Sequence, residues 1–209
     1  MSSSLPEDPC LRETDAGDVL GLTFKPLDEV GDIDRVRHAS AGAICSFVGT
    51  TRDTFEGKTV TMLEYEAYAS MALKTMSSIV DEARQLSLSG AFSSPWPDYP
   101  SLPSLSNSSS STPCPPKPDL IQQNIPVSSL RASVSLVKIS VIHRLGVVGA
   151  KESSISICVS SPHRREGFRA CEWILEEVKK RVEIWKREVY ENRDEEGIDS
   201  AWKENFPNR

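Results

Sequence analysis

Residues 87–118 limit the fold of this 209-residue chain more than any other stretch does. This window of 32 residues holds 11 serines and 8 prolines. Pro95, Pro97, Pro100 and Pro103 follow one another closely, then Ser108 to Ser111, then Pro113, Pro115, Pro116 and Pro118. Proline removes backbone donors and serine adds no apolar surface, so the composition cannot offset the entropy of ordering it. About 87–132 therefore reads as a disordered insertion, with Trp96 and Tyr99 docking locally at most. The polar head, about 1–16, reads as flexible. One domain, 17–209, remains around the insertion, with roughly 145 residues to build a core.

Those residues carry mixed periodicities. Leu20, Leu22 and Phe24 alternate as in a strand, and Val30, Ile33 and Val36 step by three as in a short helix. Ala43 to Val48 is an apolar strand that stops at Gly49. Leu63, Tyr65 and Ala67 alternate with Glu64 and Glu66, a strand with one wet face. Ser70 is a candidate cap for a helix reaching about Arg84, through Leu73, Met76, Val80 and Ala83. Strands are expected over Val134–Ile142, closing near Gly146, and over Ser154–Val159. A last helix is expected from Arg164 to Trp185, because Phe168, Cys171, Leu175, Val178, Val182 and Trp185 keep the helical interval. Strands and helices mix without a regular βαβ repeat, so the fold class is α+β.

Charge narrows the function. The net charge is −6 and the isoelectric point is near 5.2, against the basic face that general nucleic-acid binding needs. No apolar run is long enough to span a bilayer, and the acidic head, Met1 to Asp18, does not read as a secretory signal. Five scattered cysteines without a CxxC pair read as free thiols of a reducing compartment, the cytosol. Three histidines, none at ligand spacing from a cysteine, give no zinc site. No metal or cofactor is expected.

One basic cluster stands out from the acidic chain. On the expected helix, Lys179 and Lys186 are seven residues apart, which puts both amines on one face about 10.5 Å apart. Each follows an apolar stripe residue, Val178 or Trp185. A lysine stem packed at such an edge has a partly desolvated amine, and desolvation makes it a better base or nucleophile. The helix starts just after Ser160-Ser161-Pro162-His163-Arg164. Its free N–H groups, with His163 and Arg164, are a candidate anion site. Arg52 follows the Ala43–Val48 strand, and His143-Arg144 end another. Read as residue types alone, a basic helix end is more often a solvated face that complements the dipole. A histidine at a strand–helix junction, as His163 is, is more often a capping or hydrogen-bonding residue than a catalyst, and His143-Arg144, beside Gly146, read as a strand closure.

Taken together, the motifs resemble one family. Gly42 through Arg52, Val141-Ile142-His143-Arg144-Leu145-Gly146, Val159 through Arg164, Val178-Lys179-Lys180-Arg181 and Ile184-Trp185-Lys186-Arg187-Glu188 are similar, in this order, to the large, catalytic subunit of molybdopterin synthase. So is the tail, Val189-Tyr190 followed by Trp202-Lys203. The resemblance covers most of 19–86 and 134–203.

That resemblance implies an α/β hammerhead-like domain with an added antiparallel sheet. It implies a sulfurtransferase that converts cyclic pyranopterin monophosphate to molybdopterin in molybdenum cofactor biosynthesis. The sulfur would come from the C-terminal thiocarboxylate of a small ubiquitin-like subunit, and a homodimer of large subunits would carry one small subunit at each end as a heterotetramer. Position by position, Lys179 and Lys186 match the family's essential lysines, and His163 and Arg164 its pterin phosphate contacts. Arg52 matches the basic residue of its first loop, and Arg187 and Glu188 its substrate-binding run. The other reading is a non-catalytic dimeric scaffold that grips a ubiquitin-like tail. The presence of both lysines favours the enzyme.

Overall fold

The computed structural model describes residues 10–55, 57–93, 136–190 and 200–204. Two sheets carry the architecture. In the first, β2 (Val19–Thr23) lies parallel to β6 (Lys138–Arg144), while β8 (Ser153–Ser161) and β3 (Ala43–Thr50) continue antiparallel. A short strand, β1 (Cys10–Glu13), pairs with the outer edge of β2. In the second sheet, β5 (Lys58–Ala67) is central and pairs antiparallel with β9 (Ile184–Tyr190), β4 (Thr54–Phe55) and β7 (Gly146–Gly149). β10 (Ser200–Glu204) closes the outer edge of β9. Strands and helices mixed around two sheets are the α+β class expected.

The core lies under two long helices. α3 (Arg164–Arg181) packs on β3 and β8, and α2 (Ala69–Leu88) packs on α3 and β2. Met76, Ile79, Ile139, Ile157 and Ile174 are fully buried there. Gly167 lets α3 approach the sheet, since a Cβ at that position would lie 2.8 Å from Cys45 Sγ. The sharp passage from β6 to β7 uses Gly146 at φ +74°. Asp18 and Arg84 tie the end of α2 to the start of β6. Arg84 Nε donates to Asp18 Oδ2 at 2.9 Å and its Nη1 to Leu136 O at 2.7 Å, while Asp18 Oδ1 accepts from Ile139 N at 2.8 Å.

Several expectations are corrected. The last helix stops at Arg181, not Trp185, because Val182 takes an extended conformation (φ −77°, ψ 135°) and Ile184 already belongs to β9. A last turn of Lys179, Lys180 and Arg181 suits a helix C-terminus, and the following Val, Ile and Trp favour a strand. Trp185 is therefore an exposed strand residue, not core. Phe168 is also exposed, and the buried face of α3 runs through Gly167, Ala170, Cys171, Ile174, Leu175 and Val178.

The helix expected to end at Arg84 runs to Leu88 with Tyr68 at its cap, so Ser70 lies in its first turn. Ala91–Ser93 form a 3-10 turn in which Phe92 packs against Trp173. Residues 87–93 are thus part of the fold, and the rest of the expected insertion, with Trp96 and Tyr99, lies outside the described residues. Part of the head expected to be flexible, Cys10–Glu13, is a paired strand, and residues 1–9 lie outside the description. In α1 (Glu29–Arg35) Val30 faces solvent, and Asp32 is the buried residue. Among the described residues no helix is long and apolar enough to cross a membrane.

Candidate active site

A cavity of about 380 Å³ opens at the junction of the two sheets, within the size range of small-molecule sites. The first sheet contributes Phe47, Val48, Gly49 and Thr50 from β3, Ser154 and Ile155 from β8, and His143 from β6. The second contributes Leu63 and Tyr65 from β5 and Lys186 and Glu188 from β9. Side chains alternate along a strand, and Lys186 lies directly opposite Tyr65, Glu188 opposite Leu63. One face of the β5–β9 ribbon therefore carries all four into the cavity. The last turn of α3 adds Lys179, and the loop after β3 adds Arg52.

Lys179 and Lys186 thus meet by a different route from the one their spacing suggests. They do not share a helix. The chain leaves α3, turns at Val182, and enters β9 beside the helix end, so one amine comes from a helix and the other from a strand. Their surroundings differ as well. Lys186 Nζ lies 3.3 Å from Glu188 Oε1. The Glu188 carboxylate is buried and also accepts from the Tyr190 hydroxyl at 2.7 Å. Lys179 is half-buried and has no carboxylate partner among the described residues.

The inner wall is neutral. His143 is buried, its ring stands edge-on to Tyr65 with centroids 4.9 Å apart, and its Nδ1 lies 2.7 Å from Arg144 O. Burial pushes the His143 imidazole down to about 4, against the opposing effect of that carbonyl. Burial likewise raises the Tyr65 phenol, with the Glu188 charge adding to it. Cationic groups therefore sit at the helix end, the loop and β9, and uncharged rings line the interior.

The other residues singled out from the sequence stand elsewhere. His163 is the N-cap of α3 without a side-chain cap bond, and His163 and Arg164 are both exposed. In the β3–β8 pair, Ser153 lies opposite Thr50 at the cavity end and Ser161 opposite Ala43 at the far end. From Ile155 to Ser161 is about 20 Å along the strand. Along α3, Arg164 and Lys179 are about 22 Å apart by helical rise. Within one chain the α3 N-terminus and the cavity are thus separate. Arg187 lies on the opposite face of β9 from Lys186 and pairs with Glu64. Of the residues proposed from the sequence, the fold brings together Arg52, Lys179, Lys186 and Glu188. His143, read from the sequence as a strand closure, joins them. Its signal was a titratable ring in the apolar run Val141-Ile142-His143.

Comparison with known proteins agrees with this architecture. The MoaE protein family model matches residues 22–91 and 123–181, and the gap between them falls within the expected insertion, about 87–132. The molybdopterin synthase catalytic subunit 1 of Aedes aegypti is 42% identical over 187 residues, which cover 89% of this chain and 88% of that protein. Among solved structures, molybdopterin synthase from Staphylococcus aureus matches with a TM-score of 0.59 and 23% identity, over 91% of this chain and 98% of that one. The complex of subunits 1 and 2 of molybdopterin-converting factor from Helicobacter pylori matches with a TM-score of 0.51 and 17% identity, over 83% and 86%. These two structures share the fold.

Proposed function

The chain belongs to the MoaE protein family, that of the molybdopterin synthase catalytic subunits, and we propose that it converts cyclic pyranopterin monophosphate to molybdopterin with sulfur from the C-terminal thiocarboxylate of a small ubiquitin-like subunit. The observation that carries the reading is the cavity itself. Lys179, Lys186 and Arg52, from a helix end, a strand and a loop, line one space large enough for a small ligand. Three cations converging there suit two anions, a cyclic phosphate and a thiocarboxylate.

The roles follow from the surroundings of each group. Arg52, at the exposed mouth, holds the phosphate, because a guanidinium bonds two phosphate oxygens at once. Lys186 is held by Glu188 and orients the substrate and the partner's C-terminus. Lys179, without a carboxylate partner among the described residues, serves the chemical step. As sulfur is delivered to a pterin carbon, negative charge develops on oxygen and sulfur, and a fixed ammonium stabilises it. Arg187 supports this wall through Glu64 rather than from inside the cavity.

His163 and Arg164 complete the phosphate cradle in a homodimer, each chain lending its α3 N-terminus to the cavity of the other. With one small subunit at each end this gives a heterotetramer. Three buried, unpaired thiols, Cys45, Cys158 and Cys171, fit a cytosolic enzyme.

The test is to incubate the purified chain with thiocarboxylated partner and the cyclic pterin. Formation of the dithiolene product supports the reading. Stable partner binding without product would leave a scaffold in place of an enzyme.

A further inference from the structure

His143 is an imidazole built into the cavity wall that the lysine chemistry leaves unused. It stands at position six of the seven-residue strand β6, with only 2% of its surface exposed. Its two nitrogens are not equivalent. A backbone carbonyl can only accept, so the 2.7 Å contact with Arg144 O requires the proton on Nδ1. Nε2 then carries the lone pair. No hydrogen bond among the described residues uses it, although the ring lines the cavity. The edge-on contact with Tyr65 limits rotation of the ring.

Two neighbouring polar groups of this wall already have protein partners. Ser154 Oγ donates to Gly49 O at 3.1 Å, and both Glu188 oxygens are engaged by Lys186 and Tyr190. Phe47, Val48, Val60, Leu63 and Ile155 are apolar. The outlet for this acceptor is the cavity, so a ligand that fills the space and displaces its water keeps the interaction only by bringing an N–H to it.

We propose that His143 Nε2 is a hydrogen-bond acceptor that binds and orients an N–H edge of the heterocyclic substrate, while the cationic side of the same cavity holds its phosphate. This rests on the pterin reading given above, and it adds a specificity element: discrimination for a nitrogen heterocycle over a bare phosphate ester. The imidazole acts as a fixed neutral acceptor, and no proton transfer is assigned to it.

Two substitutions separate this role from a structural one. In His143→Asn the amide nitrogen takes the place of Nδ1 and keeps the bond to Arg144 O, but nothing reaches the place of Nε2. In His143→Gln the longer amide puts an acceptor near the place of Nε2. The measurement is equilibrium binding of cyclic pyranopterin monophosphate, and separately of inorganic phosphate, to the full-length chain. For His143→Asn, loss of the acceptor is expected to weaken pterin binding about tenfold and to leave phosphate binding unchanged. His143→Gln is expected to recover most of the loss. Pterin binding as tight in His143→Asn as in the wild type overturns the inference. So does equal weakening for both ligands, or a His143→Gln variant no better than His143→Asn. A wild-type chain that binds phosphate but not the pterin overturns the underlying reading, and this inference with it.

Discussion

The two ends of α3 both carry positive charge, and they are built in opposite ways. At the C-terminal end, Lys179 joins Lys186, Arg52 and Glu188 in a cavity walled by both sheets. At the N-terminal end, His163 and Arg164 stand exposed, with no side-chain cap. The first cluster is enclosed by its own chain. The second becomes a site only when something covers it, which is the part given above to a second copy. Charge alone does not distinguish them, whereas enclosure does, because an ammonium or guanidinium acts more strongly where water is excluded.

The comparison can be broken at several points. The largest effect is expected for Lys179→Ala. Removing a preorganised cation at the reacting atoms costs about 10²–10³ in turnover, so kcat at saturating partner should fall by that order, with partner affinity little changed. Near-normal turnover would move the chemical step elsewhere.

Next is the acid sensitivity of the enclosed end. The folded-state value of His143, about 4, lies below its ordinary 6.5. Between these values the unfolded chain binds a proton that the native chain refuses, so stability falls as pH drops from 6.5 towards 4. The full shift corresponds to about 3 kcal/mol. Urea unfolding at pH 7 and pH 4.5 measures it, and His143→Asn should flatten that window relative to wild type.

At the open end, His163→Ala and Arg164→Ala should each weaken pterin phosphate binding about tenfold, the loss of one charge-assisted hydrogen bond. The melting temperature should not move, since neither side chain is buried. A fall in stability there, without a change in binding, would make His163 a structural cap. The smallest effect belongs to Arg187→Ala. Its pair with Glu64 is partly exposed on the far face of β9, and such pairs contribute under about 1 kcal/mol. Thermal unfolding checks this.

How much of this could be read in advance depended on whether the signal was local. β3, β5 and β8 were legible because their apolar runs are continuous or alternate. The end of α3 was not. Val182 and Trp185 happen to continue the helical interval, and only the chain's turn at Val182 reveals that they belong to a connection and a strand. The pairing of Lys179 with Lys186 was therefore anticipated on the wrong element. β7 escaped notice because the four residues from Gly146 to Gly149 carry little periodicity, and it exists by pairing with β5. Val30 matched a helical stripe, but α1 is so short that a rotation by one or two residues, at about 100° each, decides which side is buried, and Asp32 took it. The site residues with a motif were legible, and their distances were not. Nothing local in Val159 through Arg164 says that His163 follows a strand whose other end lines the cavity.

The location of the reaction can be tested most directly by amine footprinting. The full-length chain would be labelled with a lysine-reactive acylating reagent, with and without cyclic pyranopterin monophosphate, and read by mass spectrometry. Lys179 and Lys186 should be protected by the pterin, while the exposed Lys74, Lys151 and Lys180 keep their labelling. Protection confined to those outer lysines, or unchanged labelling of Lys179 and Lys186 under saturating pterin, would contradict the assignment of the substrate to the cavity between the sheets.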